Sequence, residues 1–175
     1  LSLNTLEFTL QEESYDPAGT AALCINDLNS ERFNDTLTDI TAVMDRHKVD
    51  SGTETSVHRD RYTQVWIVFE DHPLEFDDLI VAVEFAMQTL TDAGYQDSLL
   101  AALFEFDHHH PVYLVYSFLN NQFYPYAPHP SQPKTRDFNT ELNLEAVIQT
   151  ELPVQTNRDE WHPFWPDTPG SKPWK

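Results

Sequence analysis

Apolar positions recur along this chain in two rhythms. One has a spacing of three and four residues; the other consists of short, nearly unbroken apolar runs. Leu3, Leu6 and Leu10 give a weak helical spacing over residues 3–13, which Asp16-Pro17-Ala18-Gly19 breaks. Asn29 or Ser30 is placed to cap a helix reaching about His47, with Phe33, Leu37, Ile40, Val43 and Met44 on its apolar side. The strongest helical pattern joins Phe76, Leu79, Ile80, Val83, Met87 and Leu90. Asp77 and Asp78 suit its first turn, and Gly94 suits its end. A last helix is predicted over residues 138–149, with Leu142, Leu144, Val147 and Ile148 apolar and Pro153 closing it.

The runs read as strands. Residues 21–28 form a short buried one, and residues 62–70 (YTQVWIVFE) a β-branched and aromatic central one. Residues 49–61 are polar and read as a loop or a weak edge strand. Residues 98–106 (SLLAALFEF) suit strand or helix, and Phe104 and Phe106 beside a turn favour strand. Residues 107–111 form that turn, and residues 111–119 (PVYLVYSFL) the next strand. Asn120-Asn121 then turns the chain into residues 122–127 (QFYPYA), whose Pro125 points to a sheet edge. Short turns between consecutive strands predict an antiparallel sheet of about five strands, with helices mainly on one face, an α+β fold. Val65, Ile67, Val83, Met87, Leu114 and Tyr116 are the expected core or near-core positions. Residues 1–153 are expected to be one domain. Residues 154–175 hold Trp161, Trp165 and Trp174 among several prolines, so they cannot be a regular helix or central strand. They are expected to be an arm packed on the domain, with residues 160–166 lying extended across it and Trp161 and Trp165 buried against it.

The length of 175 residues fits one domain, and 13% aromatic content argues against a disordered chain. Charge narrows the partners. The formal net charge is -19, with 29 acidic against 10 basic residues, and no Lys or Arg lies between Tyr62 and Pro133. Such a field repels nucleic-acid phosphates and anionic membrane surfaces, leaving a protein partner or a purely solubilising role. One cysteine, Cys24, sits in an apolar run, favouring a reducing, cytoplasmic setting and a buried structural thiol. No stretch is apolar enough to span a bilayer, and the N-terminus lacks a signal-peptide pattern, so direct membrane insertion is not expected.

Candidate chemistry is sparse. Asp107-His108-His109-His110 offers imidazole and carboxylate for a metal-dependent enzyme, but three consecutive histidines in a turn do not readily converge on one ion. A solvated turn is the simpler reading, and no cofactor or metal is expected. Glu12/Glu13, Asp77/Asp78 and Asp159/Glu160 read as surface or helix-start charge rather than acid–base pairs. With four glycines in the chain, a phosphate-cradling loop is not expected. The aromatic segments are the sharper signal. Phe118, Phe123, Tyr124 and Tyr126 flank a turn and Trp161, Phe164 and Trp165 lie in the tail; these are the candidate partner-binding residues, as interface anchors or as core.

Residues 62–165 resemble the PspAB family, the PspA-associated proteins of bacteria and archaea. Four elements carry the resemblance in order: residues 62–106 as a strand–helix–strand region; PVYLVYSF followed by QFYPYAP as an aromatic hairpin; Arg136-Asp137 with Glu141-Leu142 as a helix start; and ELPVQTNRDEWHPFW as an ending. Two departures stand out: Leu119-Asn120-Asn121 where the family turn is basic and contains glycine, and Glu160 where an arginine precedes the tryptophan. The resemblance implies a protein-binding adaptor without established catalytic residues. It implies association with PspA-type envelope-stress proteins and, in some lineages, with an HtpX-type membrane protease. The family fold is similar to small secretion-chaperone or YbjN-like domains, which leaves open a chaperone-like homodimer that holds unfolded segments.

Overall fold

The apolar runs become strands and the helical repeats become helices in a computed structural model that describes residues 3–175. Six strands form one antiparallel sheet in the order β2-β3-β1-β4-β5-β6, accompanied by four α-helices. In chain order these are α1 (Leu6–Glu12), β1 (Asp16–Asn26), α2 (Glu31–Ser51), β2 (Glu54–Arg59), β3 (Gln64–Glu70), α3 (Phe76–Asp92), β4 (Leu99–His108), β5 (His110–Ser117), β6 (Gln122–Tyr126) and α4 (Phe138–Ile148).

Local chemistry sets the helix ends. Ser30 caps α2 by accepting from the Phe33 N–H at 3.2 Å, and Gly52 ends it in the left-handed region with φ 78°. Asp137 caps α4 by accepting from the Thr140 N–H. Each helix contributes its apolar stripe to one face of the sheet: Leu6 and Leu10 from α1, Phe33 and Ile40 from α2, Val83 and Leu90 from α3, Leu144 and Ile148 from α4. Val65, Ile67, Val83 and Leu114 are buried as expected, and Met87 and Tyr116 pack partly buried against them.

The sheet has six strands rather than about five, because residues 54–59 of the polar stretch pair along the outer edge of β3. Strand β6 is the opposite edge, where Pro125 sits. Residues 16–19, expected as a break, instead begin β1. Asp16 and Pro17 extend past β3 and pair with β4 alone, so Pro17 lies outside the ladder shared with β3. The register against β4 shifts between Pro17 and Ala21, and Gly19 within that irregularity has φ 78°. The turn expected over residues 107–111 shrinks to one residue, His109 with φ 66°, since His108 and His110 still pair.

Gly19 is the position where the fold leaves least room. A Cβ there would meet the Asp71 carbonyl oxygen at 2.3 Å, and that backbone is fixed by the Asp71 N–H donating to the Gly19 carbonyl at 2.9 Å. Gly19→Ala is expected to destabilise the protein by about 2–4 kcal/mol, as for strained left-handed positions with a backbone clash. Urea denaturation measures it; a midpoint equal to that of the unaltered chain contradicts this packing.

Candidate functional site

The strands other than β2 are apolar on both faces, so the face away from the helices also needs a cover. Ala22, Cys24, Leu103, Val115, Tyr124 and Tyr126 point there. Residues 161–174 of the tail lie over them. Trp161 and Trp174 are buried in this second cluster, and Phe164 and Trp165 pack half-buried against it. Trp165 is therefore only partly buried, and Trp174 holds a deeply buried position instead.

Tyrosine hydroxyls fasten the segment. Tyr124 donates to the His162 carbonyl at 2.8 Å and Tyr126 to the Phe164 carbonyl at 3.1 Å, so the sheet grips the backbone on both sides of Pro163. Trp161 stacks on Tyr124 with ring centroids 6.3 Å apart, and its indole N–H donates to the Gln155 carbonyl. At the β6 edge the Phe123 N–H donates to the Pro153 carbonyl and the Gln155 N–H to the Phe123 carbonyl, a short parallel bridge that caps the open edge. Burial pushes the phenols of Tyr124 and Tyr126 well above their ordinary range, so both stay protonated donors.

Two buried carboxylates tie the segment further. Glu141, fully buried, accepts from Arg136 at 2.8 Å and from the Ala127 N–H at 2.9 Å. The same guanidinium donates to the Trp161 carbonyl at 2.6 Å and lies 5.3 Å from the Tyr126 ring centroid. Glu105, on β4, accepts from Lys172 at 2.6 Å. Burial pushes both carboxyls above their usual value, and the hydrogen bonds and cations beside them offset part of that rise.

The histidine turn sends its rings to separate neighbours. His108 stacks on Tyr15 at 4.1 Å with Nδ1 3.0 Å from the Ser14 carbonyl, and His110 Nε2 lies 3.0 Å from Asp137. His109 is exposed at the apex. Partial burial pushes the Asp137 carboxyl up, but the hydrogen bonds from Thr140 and His110 outweigh it and leave the group below its ordinary value. Among the described residues no three His, Cys, Asp or Glu side chains gather as a metal-holding group.

Of the aromatic candidates, Phe123, Tyr124, Tyr126 and Trp161 are buried. Phe118 is half-buried beside Tyr116, while Phe164 and Trp165 keep part of their surface open. Those last two line a cavity of about 390 Å³ together with Tyr62, Gln64, Trp66 and Lys134. Tyr62 and Trp165 also border the two neighbouring clefts, one against the proline-rich loop and one against the chain end. Asp60 builds the turn that carries Tyr62: it accepts from the N–H groups of Tyr62 and Gln64 and from the Trp66 indole. The sequence hid this cavity because Tyr62, Lys134 and the tail meet only through the sheet order. The paired Asp60 and Gln64 carry no pattern that marks a turn beside a binding surface.

The family model described as PspA associated protein B matches residues 1–174, extending beyond residues 62–165, where the resembling motifs lie. No curated protein and no solved structure matches the chain.

Arg136→Ala leaves the Glu141 carboxylate buried without its cation and removes a donor to the tail. A loss of about 3–5 kcal/mol is expected, as for broken buried pairs. Replacing both partners, Arg136→Met with Glu141→Gln, should recover much of it. Chemical denaturation of the three proteins checks this, and a loss under about 1 kcal/mol for Arg136→Ala contradicts the pairing.

Proposed function

We propose, from the premise that this chain belongs to the PspA associated protein B family, that it is a protein-binding adaptor whose partner is a PspA-type envelope-stress protein. The match over residues 1–174 is the observation that carries this reading. The fold supports it in a second way. The residues of the family-like motifs act within the molecule: Arg136 and Glu141 pair with each other, Asp137 caps α4, and the QFYPYAP tyrosines hold the tail. The motif is thus an assembly device for the tail-covered face rather than a set of reacting groups. What it leaves open to solution is the aromatic cavity bordered by Tyr62, Phe164 and Trp165.

A large acidic excess, -19 overall, suits attraction to a basic protein surface and disfavours anionic lipid. Among the described residues no helix is long and apolar enough to cross a membrane. The adaptor reading places the protein on the cytoplasmic side, contacting the envelope through its partner. The HtpX-type protease is a second partner of the same kind.

The purified full chain, titrated with the PspA-type protein of its own host, is expected to bind saturably with a Kd below about 10 µM. Calorimetry reads this directly. Absence of binding at about 100 µM of each protein, with and without salt, contradicts the adaptor reading.

A further inference from the structure

The cavity beside Tyr62 has an unusual balance of hydrogen-bonding groups. Its acceptor-rich member, Asp60, is already engaged: one carboxylate oxygen takes the Tyr62 and Gln64 N–H groups, and the other takes the Trp66 indole. Lys134 has no hydrogen-bond or ion-pair partner among the described residues, and the same holds for the Tyr62 hydroxyl and the Trp165 indole N–H. Each of these groups can donate, as can the Gln64 side-chain amide; Lys134 and the Trp165 indole are donors only, while the Tyr62 hydroxyl and the Gln64 amide can also accept, and all are set among the ring surfaces of Tyr62, Phe164 and Trp165. Lys134 is held in place by a folded loop. His129 Nδ1 accepts from the N–H groups of Ser131 and Gln132, and the His129 N–H donates to the Thr135 carbonyl.

A ligand that complements donors and aromatic rings offers carbonyl acceptors and ring-shaped apolar side chains, and few donors of its own. An extended proline-rich segment has this composition. Each proline contributes a carbonyl and no N–H, and its fixed φ lowers the entropy lost on docking. The molecule shows the same chemistry in cis next door. Tyr124 and Tyr126 donate to the carbonyls flanking Pro163, and aromatic rings pack around the tail. The cavity starts where that internal segment leaves the sheet, since Pro163, Phe164 and Trp165 form one of its walls.

We infer that this cavity is a docking site for an extended proline-rich segment of a partner protein. Tyr62 and Trp165 supply ring surface, and Lys134 and the Trp165 indole donate to the segment's carbonyls. The inference deepens the adaptor reading by naming what part of a partner is held, and its test needs no PspA-type protein. Peptide binding without binding of that protein would remove the adaptor reading alone; the converse would remove this inference alone.

The probe is a ten-residue oligoproline peptide, with a glycine–serine peptide of equal length as control. Titrated into the full chain, it should shift tryptophan fluorescence saturably with a Kd below about 1 mM, within the range of weak peptide recognition. Tyr62→Ala alters a half-exposed side chain (51% exposed) and should weaken binding at least about tenfold with the melting midpoint retained. Should that variant fold poorly, amide and indole NMR shifts of the unaltered chain decide the matter. Shifts are expected at Tyr62, Gln64, Lys134 and the Trp165 indole, with the Trp161 indole still. No saturable response, an equal response to the glycine–serine peptide, equal affinity in a folded Tyr62→Ala, or shifts confined elsewhere overturns the inference.

Discussion

Leu103 and Phe104 are neighbours on β4, point to opposite faces of the sheet, and are both fully shielded from water. The same holds for Trp66 and Ile67 on β3 and for Leu23 and Cys24 on β1. An antiparallel sheet of this kind cannot leave one face to solvent, as many do, without exposing a large apolar area. Four helices supply one cover. Residues 161–174 supply the other. They form it without α-helix or strand, after a single 3-10 turn at Arg158–Glu160, through tryptophans that fill volume and prolines that keep the backbone extended. The rest of the structure follows from this demand for a second cover.

A cover without its own backbone ladder needs other fastenings. Scarce cations provide several: of the ten lysines and arginines, Arg61, Arg136, Arg158 and Lys172 link the tail to the body of the molecule. The exposed links, Arg61 to Asp167 and Arg158 to Glu145, contribute little individually. The buried ones differ, because Glu105 and Glu141 are 4% and 0% exposed and would be costly to leave alone. Together with the tyrosine hydroxyls they fix one register of the tail, and that register is what shapes the aromatic cavity. Function, in this account, depends on the placement of a segment that looks unstructured in the sequence.

Much of the fold was legible from the chain because spacing and burial agree. Helix α3 shows a clean apolar stripe, and Ser30 and Gly94 stand at helix ends as their chemistry demands, whereas α2 runs past its expected end near His47 to Ser51, where Gly52 closes it. The edge strand β2, which the sequence left open between loop and weak edge strand, reads ETSVHR. An edge strand half in water has no apolar alternation to betray it, and only the ladder with β3 makes it one. The start of β1 was hidden for the opposite reason. Pro17 and Gly19 signal a turn locally, yet strand length there is set by β4. The candidate site was half legible. Aromatic composition pointed to Phe164 and Trp165, but Tyr62 and Lys134 are 102 and 31 residues from Phe164 and Trp165 in the chain respectively, separations that only the fold closes. The burial of Phe123, Tyr124, Tyr126 and Trp161 could not be told from exposure by composition, since the same side chains serve as core and as anchors.

The tail packs as a layer on the sheet face opposite the helices. Deleting residues 158–175 removes Trp161, Trp165 and Trp174, the Lys172 partner of Glu105, and the carbonyls that Tyr124 and Tyr126 bind. A buried tryptophan alone is typically worth about 3–5 kcal/mol. A thermal melt of the truncated chain beside the full one is the direct measurement. The truncated protein is expected to melt at a markedly lower midpoint or to aggregate before it melts; an unchanged midpoint in a monodisperse truncated protein would show that the tail is not part of the fold's stability.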